Sequence, residues 1–463
     1  MKITIVGAAG GEVTGSAYYV QTRQSCVLVD CGLFQGGKKS EALNRPPTGP
    51  KQKLDAVLLT HGHLDHTGRL PLLIKRGHTP PVFATPATIE MASLILRDSA
   101  RIQASDAERR NRKRQRAGEP PQEPLYTTEH AEAIIQCFKP VPYQQPVAVA
   151  PGIQAVWAES GHMLGSASIQ LIVEEDGRQK RVVFSGDLGP RSAPILRDSE
   201  PFKQADLVFL ESTYGDHDHR PFTETVQEFV RIVQDTVERR GKILVPTFAV
   251  GRAQLLTGLL AWMFRTKKLR PFPVFLDSPM AIEATNIYGR HVELFDDEMK
   301  QFIAAKPLRA DLKTMTMSVT AEDSMKINEQ SGPCLVMAGA GMCNAGRILH
   351  HLKQNLWKPD THVLIVGYQS HESLGRRLVE GEKLVRIHGE QIAVKAQVHT
   401  LGGFSAHAGQ TDLQKWFSVI APSKPRVILT HGEDGPRGVL AKKIQQQFRL
   451  PSKLPKMGDV IEL

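Results

Sequence analysis

The stretch LLTHGHLDHTGRLP, residues 58–71, places His61, His63, Asp65 and His66 within six positions, directly behind an apolar run. The whole chain has only 17 histidines in 463 residues, so three in one turn call for a chemical reason. The preceding AVLLT reads as a buried strand, and a loop leaving its end is held by a rigid edge. Residues at i, i+2, i+4 and i+5 on such a turn can send two imidazoles toward one point. The aspartate and the last imidazole then face a second point a few Å away. Nitrogen with hard carboxylate ligands suits Zn²⁺ best, with Mn²⁺ or Fe as the other candidates.

Further ligand-type residues follow the same grammar, each closing an apolar run or opening a glycine turn. They are His162 in ESGHMLGS (159–166), Asp187 in FSGDLG (184–189) and His431 in ILTHGE (428–433). Together with the first cluster they make seven ligands, enough for two ions. His61, His63 and His162 would serve one, and Asp65, His66 and His431 the other. Asp187 would bridge, because a carboxylate has two oxygens, and paired ions about 3.5–4 Å apart can activate water and grip a phosphoryl oxygen.

The surrounding sequence gives these loops a scaffold. Short strands separated by glycine-rich or polar turns (MKITIVGA, GSAYYVQT, SCVLVDCG, AVLLT) open the chain, as in one layer of a sandwich. From Pro86 to about Gly118 the spacing turns helical and ends in the basic run AERRNRKRQRAG, which GEPPQEP at 118–124 breaks. That run reads as a solvated helix face, with RNA contact as the alternative. Strands return at GIQAVWAES, SIQLIVEE, RVVFSGD and DLVFLE. Past Gly215 helices and strands alternate, from ETVQEFVRIVQDTVERR and KILVPTF to AGRILHHL and HVLIVGY, which is how a parallel α/β sheet reads. VKAQVHT and RVILTHG then resume the earlier style. The expected organisation is one domain split around another: 1–215, an insertion at 216–395, and 396–463.

Composition sets outer bounds. With 41% hydrophobic and 23% charged residues the chain is an ordinary globular sequence, and its length favours two or three packed units. The formal charge of +10 favours contact with polyanions. Five scattered cysteines without CxxC spacing argue against a disulfide framework and for a reducing, cytoplasmic setting. No apolar run approaches the roughly 20 residues of a membrane helix, and the N-terminus has no signal-peptide pattern.

With THGHLDHTG, SGHMLGS, FSGDLG, ESTYG (211–215), FSAH (404–407) and ILTHG in this order, the chain resembles the metallo-β-lactamase superfamily and, within it, the β-CASP nucleases. It is similar in particular to the nuclease subunit of the pre-mRNA 3′-end cleavage machinery and its short prokaryotic relatives. The resemblance implies an αββα sandwich with two Zn²⁺, interrupted by an α/β β-CASP domain with a largely parallel sheet. It also implies single-stranded RNA as substrate, endonucleolytic cleavage leaving 5′-phosphate and 3′-hydroxyl ends, and a possible homodimer. Its three further motifs fall on Glu211, His407 and His431, and a histidine at the last position accompanies RNA cleavage. Glu211 would orient His407 as general acid, with Asp65 in the metal set.

Candidate RNA-backbone contacts are Arg252 and Arg347, each opening a helix, with Arg376 and Ser405. One departure from the family pattern is Glu372-Ser373 in GYQSHESLGRRL, where Gly-Thr is common. Competing readings are an exonuclease of the same fold, a non-catalytic scaffold subunit, another hydrolase and a two-iron oxidoreductase. The intact ligand set, the long insertion and His407 favour the nuclease.

Overall fold

Alternation along the strands builds the first unit. In Cys26–Val29, Val27 and Val29 face one core while Cys26 and Leu28 face another. In Arg178–Phe184 and Leu207–Glu211, Val182, Phe184, Leu207 and Phe209 face the shared core, and Val183, Val208 and Leu210 the opposite side. Strands buried on both faces must lie between covered layers.

The computed structural model, which describes residues 1–49, 52–370 and 373–463, arranges them so. One seven-stranded sheet has the order 460–462, 2–5, 18–21, 26–29, 56–58, 82–84, 138–140. The other has the order 452–453, 426–430, 207–211, 178–184, 167–175, 153–159, 147–150. Ile3, Val29 and Leu58 from the first sheet meet Trp157, Ile169, Phe184 and Phe209 from the second in one apolar core. The first sheet's outer face is covered by Leu70, Leu73, Leu96 and Ile134 of its helices. Trp416, Phe417, Leu440 and Ile444, on helices Gln410–Ile420 and Asp434–Phe448, cover the second sheet's outer face. The result is the four-layered αββα sandwich.

This unit comprises Met1–Arg191, Asp198–Asp218 and His407–Leu463. The second comprises Ser192–Arg197 and His219–Ala406 and is built on a six-stranded, wholly parallel sheet. Its strand order is 315–317, 274–276, 334–338, 242–246, 361–365, 397–400. Helices such as Arg252–Arg265 and Ala321–Glu329 make the crossovers that parallel pairing requires. The strand Gln397–Thr400, read from the sequence with the closing segment, pairs in parallel with Thr361–Ile365 as an edge of this sheet. Its four residues, two exposed and two half-buried, carry no pattern that says which sheet they join. Among the described residues no helix is long and apolar enough to cross a membrane.

Trp157 ties the sandwich to the metal loop. Its side chain is fully buried, and its indole N–H donates to the carbonyl of Leu59, two residues before His61, at 3.0 Å. Trp157→Ala should therefore lower stability by about 3–5 kcal/mol in denaturant unfolding; a loss under about 1 kcal/mol would mean that the two sheets do not pack around this ring.

Candidate metal centre

Four loops deliver the candidate ligands, and each leaves the C-terminal end of a strand or its immediate extension. His61, His63, Asp65 and His66 follow Ala56–Leu58, His162 follows Ile153–Glu159, Asp187 follows Arg178–Phe184, and His431 follows Arg426–Thr430. Two glycines permit the close approach. A Cβ on Gly32 would lie 1.5 Å from the Asp65 carbonyl oxygen, and one on Gly186 would lie 2.8 Å from Thr60 Cβ. His431 has φ of +51° and Asp30 +57°, left-handed values that non-glycine residues adopt at a cost and that concentrate at functional sites.

The ligand atoms form two groups. In the first, His63 Nδ1 lies 3.2 Å from His61 Nε2 and 3.1 Å from His162 Nε2. Asp187 Oδ2 lies 3.5 and 3.6 Å from those two Nε2 atoms. In the second, His66 Nε2 and His431 Nε2 are 3.3 Å apart, and Asp187 Oδ1 is 3.3 and 3.4 Å from them. Asp65 Oδ2 completes it, 3.5 Å from His431 Nε2 and 3.9 Å from His66 Nε2. Ligands about 2.1 Å from a tetrahedral ion stand about 3.4 Å from one another, so both groups have the right size for Zn²⁺. Asp187 divides its two oxygens between them. Buried Oδ1 has no hydrogen-bond partner among the described residues, an orphan that a cation would satisfy.

The far ring nitrogens are anchored. His66 Nδ1 donates to Asp30 Oδ2 at 2.8 Å. His61 Nδ1 lies 3.1 Å from the Thr60 hydroxyl, which itself donates to Asp30 Oδ2 at 2.8 Å. His431 Nδ1 lies 3.1 Å from the Thr213 hydroxyl. Each contact places the proton on Nδ1 and leaves Nε2 bare toward the centre. Ionisation agrees. Burial holds the His61 pKa well below the usual imidazole value, and the neighbouring His66 adds to this; burial likewise brings His63 down to about 4. For Asp65 burial opposes ionisation, but the His431 hydrogen bond and the His66 charge outweigh it and bring the pKa to about 2. Asp187 is also held low, with His431 and His66 overcoming burial. Burial works against protonation of His66 and His431 too, yet Asp187, with Asp30 for His66 and Asp65 for His431, raises both. Those two must shed protons when a metal binds.

Beside the first group stands His407, its ring 4.5 Å from that of His162. His407 Nδ1 is 3.4 Å from Glu211 Oε1. Glu211 is fully buried, and its carboxylate accepts the N–H groups of Leu188 at 2.9 Å and Thr213 at 3.1 Å.

All nine of these sequence-derived residues lie in the first unit. Arg252, Arg347, Arg376 and Ser405 lie in the second, each in its own setting. Arg347 pairs with buried Asp277 at 2.8 Å and donates to the carbonyls of Ser318 and Val319. Arg376 pairs with Glu380 at 2.6 Å. Arg252 is buried at the start of Arg252–Arg265, and Ser405 caps the short turn Gly402–Phe404. Glu372 lies outside the described residues, whereas Ser373 accepts the Arg376 N–H as the N-cap of Leu374–Val379. Sequence reasoning missed Asp30, Thr60 and Thr213. The signal for Asp30 was an acid closing the apolar run CVLV, just before Cys31-Gly32.

A sandwich carrying this paired His/Asp centre defines a metallo-β-lactamase-fold protein, and comparison with known proteins agrees. A Beta-lactamase superfamily domain matches residues 26–246, a Beta-Casp domain 253–378, and a Zn-dependent metallo-hydrolase RNA specificity domain 391–455. The chain is 40% identical to Ribonuclease TTHA0252 of Thermus thermophilus over 94% of each chain. It is 31% identical to Transcription termination factor FttA of Methanothermobacter thermautotrophicus over 97% of this chain and 70% of that one. A protein of unknown function from Enterococcus faecalis shares the fold at 13% identity with a TM-score of 0.54, covering 100% of this chain and 99% of that one. The chain belongs to the β-CASP family of metallo-β-lactamase-fold RNA nucleases.

Because Asp30 holds candidate ligand His66 directly and His61 through the Thr60 hydroxyl, Asp30→Asn should weaken metal affinity about 10- to 100-fold in chelator competition while the fold persists. Unchanged affinity would remove Asp30 from the centre's support.

Proposed function

We propose that this protein is a Zn²⁺-dependent endoribonuclease acting on single-stranded RNA in the cytoplasm and leaving 5′-phosphate and 3′-hydroxyl ends. The reading is carried by one observation: Asp187 turns one oxygen to each of two histidine groups, with His407 beside the first of them. His61, His63 and His162 would hold one ion, Asp65, His66 and His431 the other, and Asp187 both. Two Zn²⁺ held there would supply a water acidic enough to attack phosphorus at neutral pH and a counter-charge for the phosphoryl oxygens. The name of the Thermus relative supports RNA as substrate, and the five unpaired cysteines fit a reducing compartment.

The chain's own groups manage the leaving oxygen. With Nδ1 turned to Glu211, His407 presents Nε2 as the proton donor to the departing ribose oxygen. Glu211 cannot swing away, because two backbone N–H groups fix its carboxylate. Asp65 stays ionised beside His431 and keeps negative charge on the metal side of the site.

His407→Ala should lower kcat on labelled single-stranded RNA by about 10²- to 10⁴-fold with metal content unchanged. Full activity in that variant would remove the general-acid role, and no cleavage by the metal-loaded native protein would remove the nuclease reading itself.

A further inference from the structure

The helix Pro86–Arg116 is 31 residues long, and only its first half belongs to the domain core. Met91, Ala92, Leu96 and Ala100 are buried there, and the hydroxyls of Thr85 and Thr88 both donate to the Gly165 carbonyl at 2.7 Å. Met91 packs directly beneath the metal loop, 3.0 Å from where a Cβ on Gly62 would stand. From Arg101 onward most side chains are exposed.

Two stripes run along this outer half. Ala107, Asn111 and Arg114 face the returning chain: Asn111 exchanges hydrogen bonds with the backbone of Gln122 at 2.8 and 3.0 Å, and Arg114 donates to Pro120 at 2.7 Å and pairs with Glu119 at 2.8 Å. Opposite lie Arg109, Arg112, Lys113 and Arg116, at i, i+3, i+4 and i+7 and therefore on one face. All four are exposed. Arg109 approaches Asp106 at 3.6 Å, while Arg112, Lys113 and Arg116 have no acidic partner among the described residues. Residues 107–118 hold six cations against the single carboxylate of Glu108, a net of five positive charges out of the chain's ten.

Like charges three and four apart on a helix destabilise it. The helix dipole accounts for cations in the last turn, not for Arg109 and Arg112 before it. A polyanion neutralises the whole stripe. We propose that this face is a phosphate-binding surface for substrate RNA beyond the segment being cut. It rests on the RNA reading above, and helical rise places it about 27 to 38 Å along the axis from Met91. RNA fits better than a membrane surface because the arm's exposed side chains are almost all polar or charged, with Ile102 the exception. Such a helix lacks the apolar face that interfacial binding needs.

The test replaces Arg109, Arg112, Lys113 and Arg116 with Gln, which keeps helix propensity. On a long single-stranded RNA of about 40 nucleotides, KM should rise with kcat unchanged. The slope of log affinity against log salt should become shallower by about 0.7 for each phosphate that is no longer neutralised, or about 2 to 3 in all. An RNA of about 8 nucleotides, too short to leave the metal site, should behave as with the native protein. A companion variant carrying Arg109→Lys, Arg112→Lys and Arg116→Lys should retain the native slope, since a phosphate needs only the charge. Unchanged KM and slope on long RNA, an equal loss on short RNA, or failure of the companion variant to rescue would overturn the proposal. So would arm-dependent binding to anionic phospholipid vesicles with RNA affinity unaltered. Long-RNA affinity is also read by fluorescence anisotropy without turnover, so a failure of the nuclease reading shows in cleavage and a failure of the arm shows in the salt slope.

Discussion

One carboxylate sets the geometry of the catalytic unit. Asp187 is buried, faces four imidazole nitrogens at 3.3 to 3.6 Å, and leaves one oxygen without a hydrogen bond. Protons on His66 and His431 balance part of this charge, whereas His61 and His63 face the carboxylate uncharged. The fold holds these groups together, and a metal bound there would displace the two protons as it took their place.

The sandwich provides the force. Every ligand loop starts where a strand buried on both faces ends, so the positions of His61, His162, Asp187 and His431 follow from the pairing registers of the sheets. Trp157 adds a direct tie between the two layers through Leu59. Behind the ligands Asp30, Thr60 and Thr213 settle which ring nitrogen carries the proton, and the strained φ values of Asp30 and His431 mark where the backbone gives way to the centre. His407, with Glu211 behind it, stands beside the first of the two groups and is the acid of the proposed mechanism.

Much of this was legible in the sequence because it is local. Apolar runs marked nine of the fourteen strands of the two large sheets, missing the short ones at 82–84, 138–140, 147–150, 452–453 and 460–462; the Pro86–Gly118 spacing marked the long helix, and each candidate ligand stands at or soon after the end of an apolar run, near a glycine. What was not legible depends on partners distant in the chain. Asp30 looks like any acid after a strand until His66 and Thr60 fold onto it. Arg347 opens its helix as the spacing says, but its side chain is directed by Asp277, 70 residues earlier. The strand Gln397–Thr400 could have joined either style of sheet, since only its register with Thr361–Ile365 decides. The basic run reads as a solvated face in sequence, and its one-sided stripe is visible only once the return segment covers the other side.

The central claim is that one aspartate joins two metal sites in this chain. Anomalous diffraction at the zinc edge, from crystals of protein purified without chelator, tests it most directly. The account predicts two peaks about 3.5–4 Å apart with Asp187 between them. A single peak away from Asp187, or none in protein that still cleaves RNA, would contradict it.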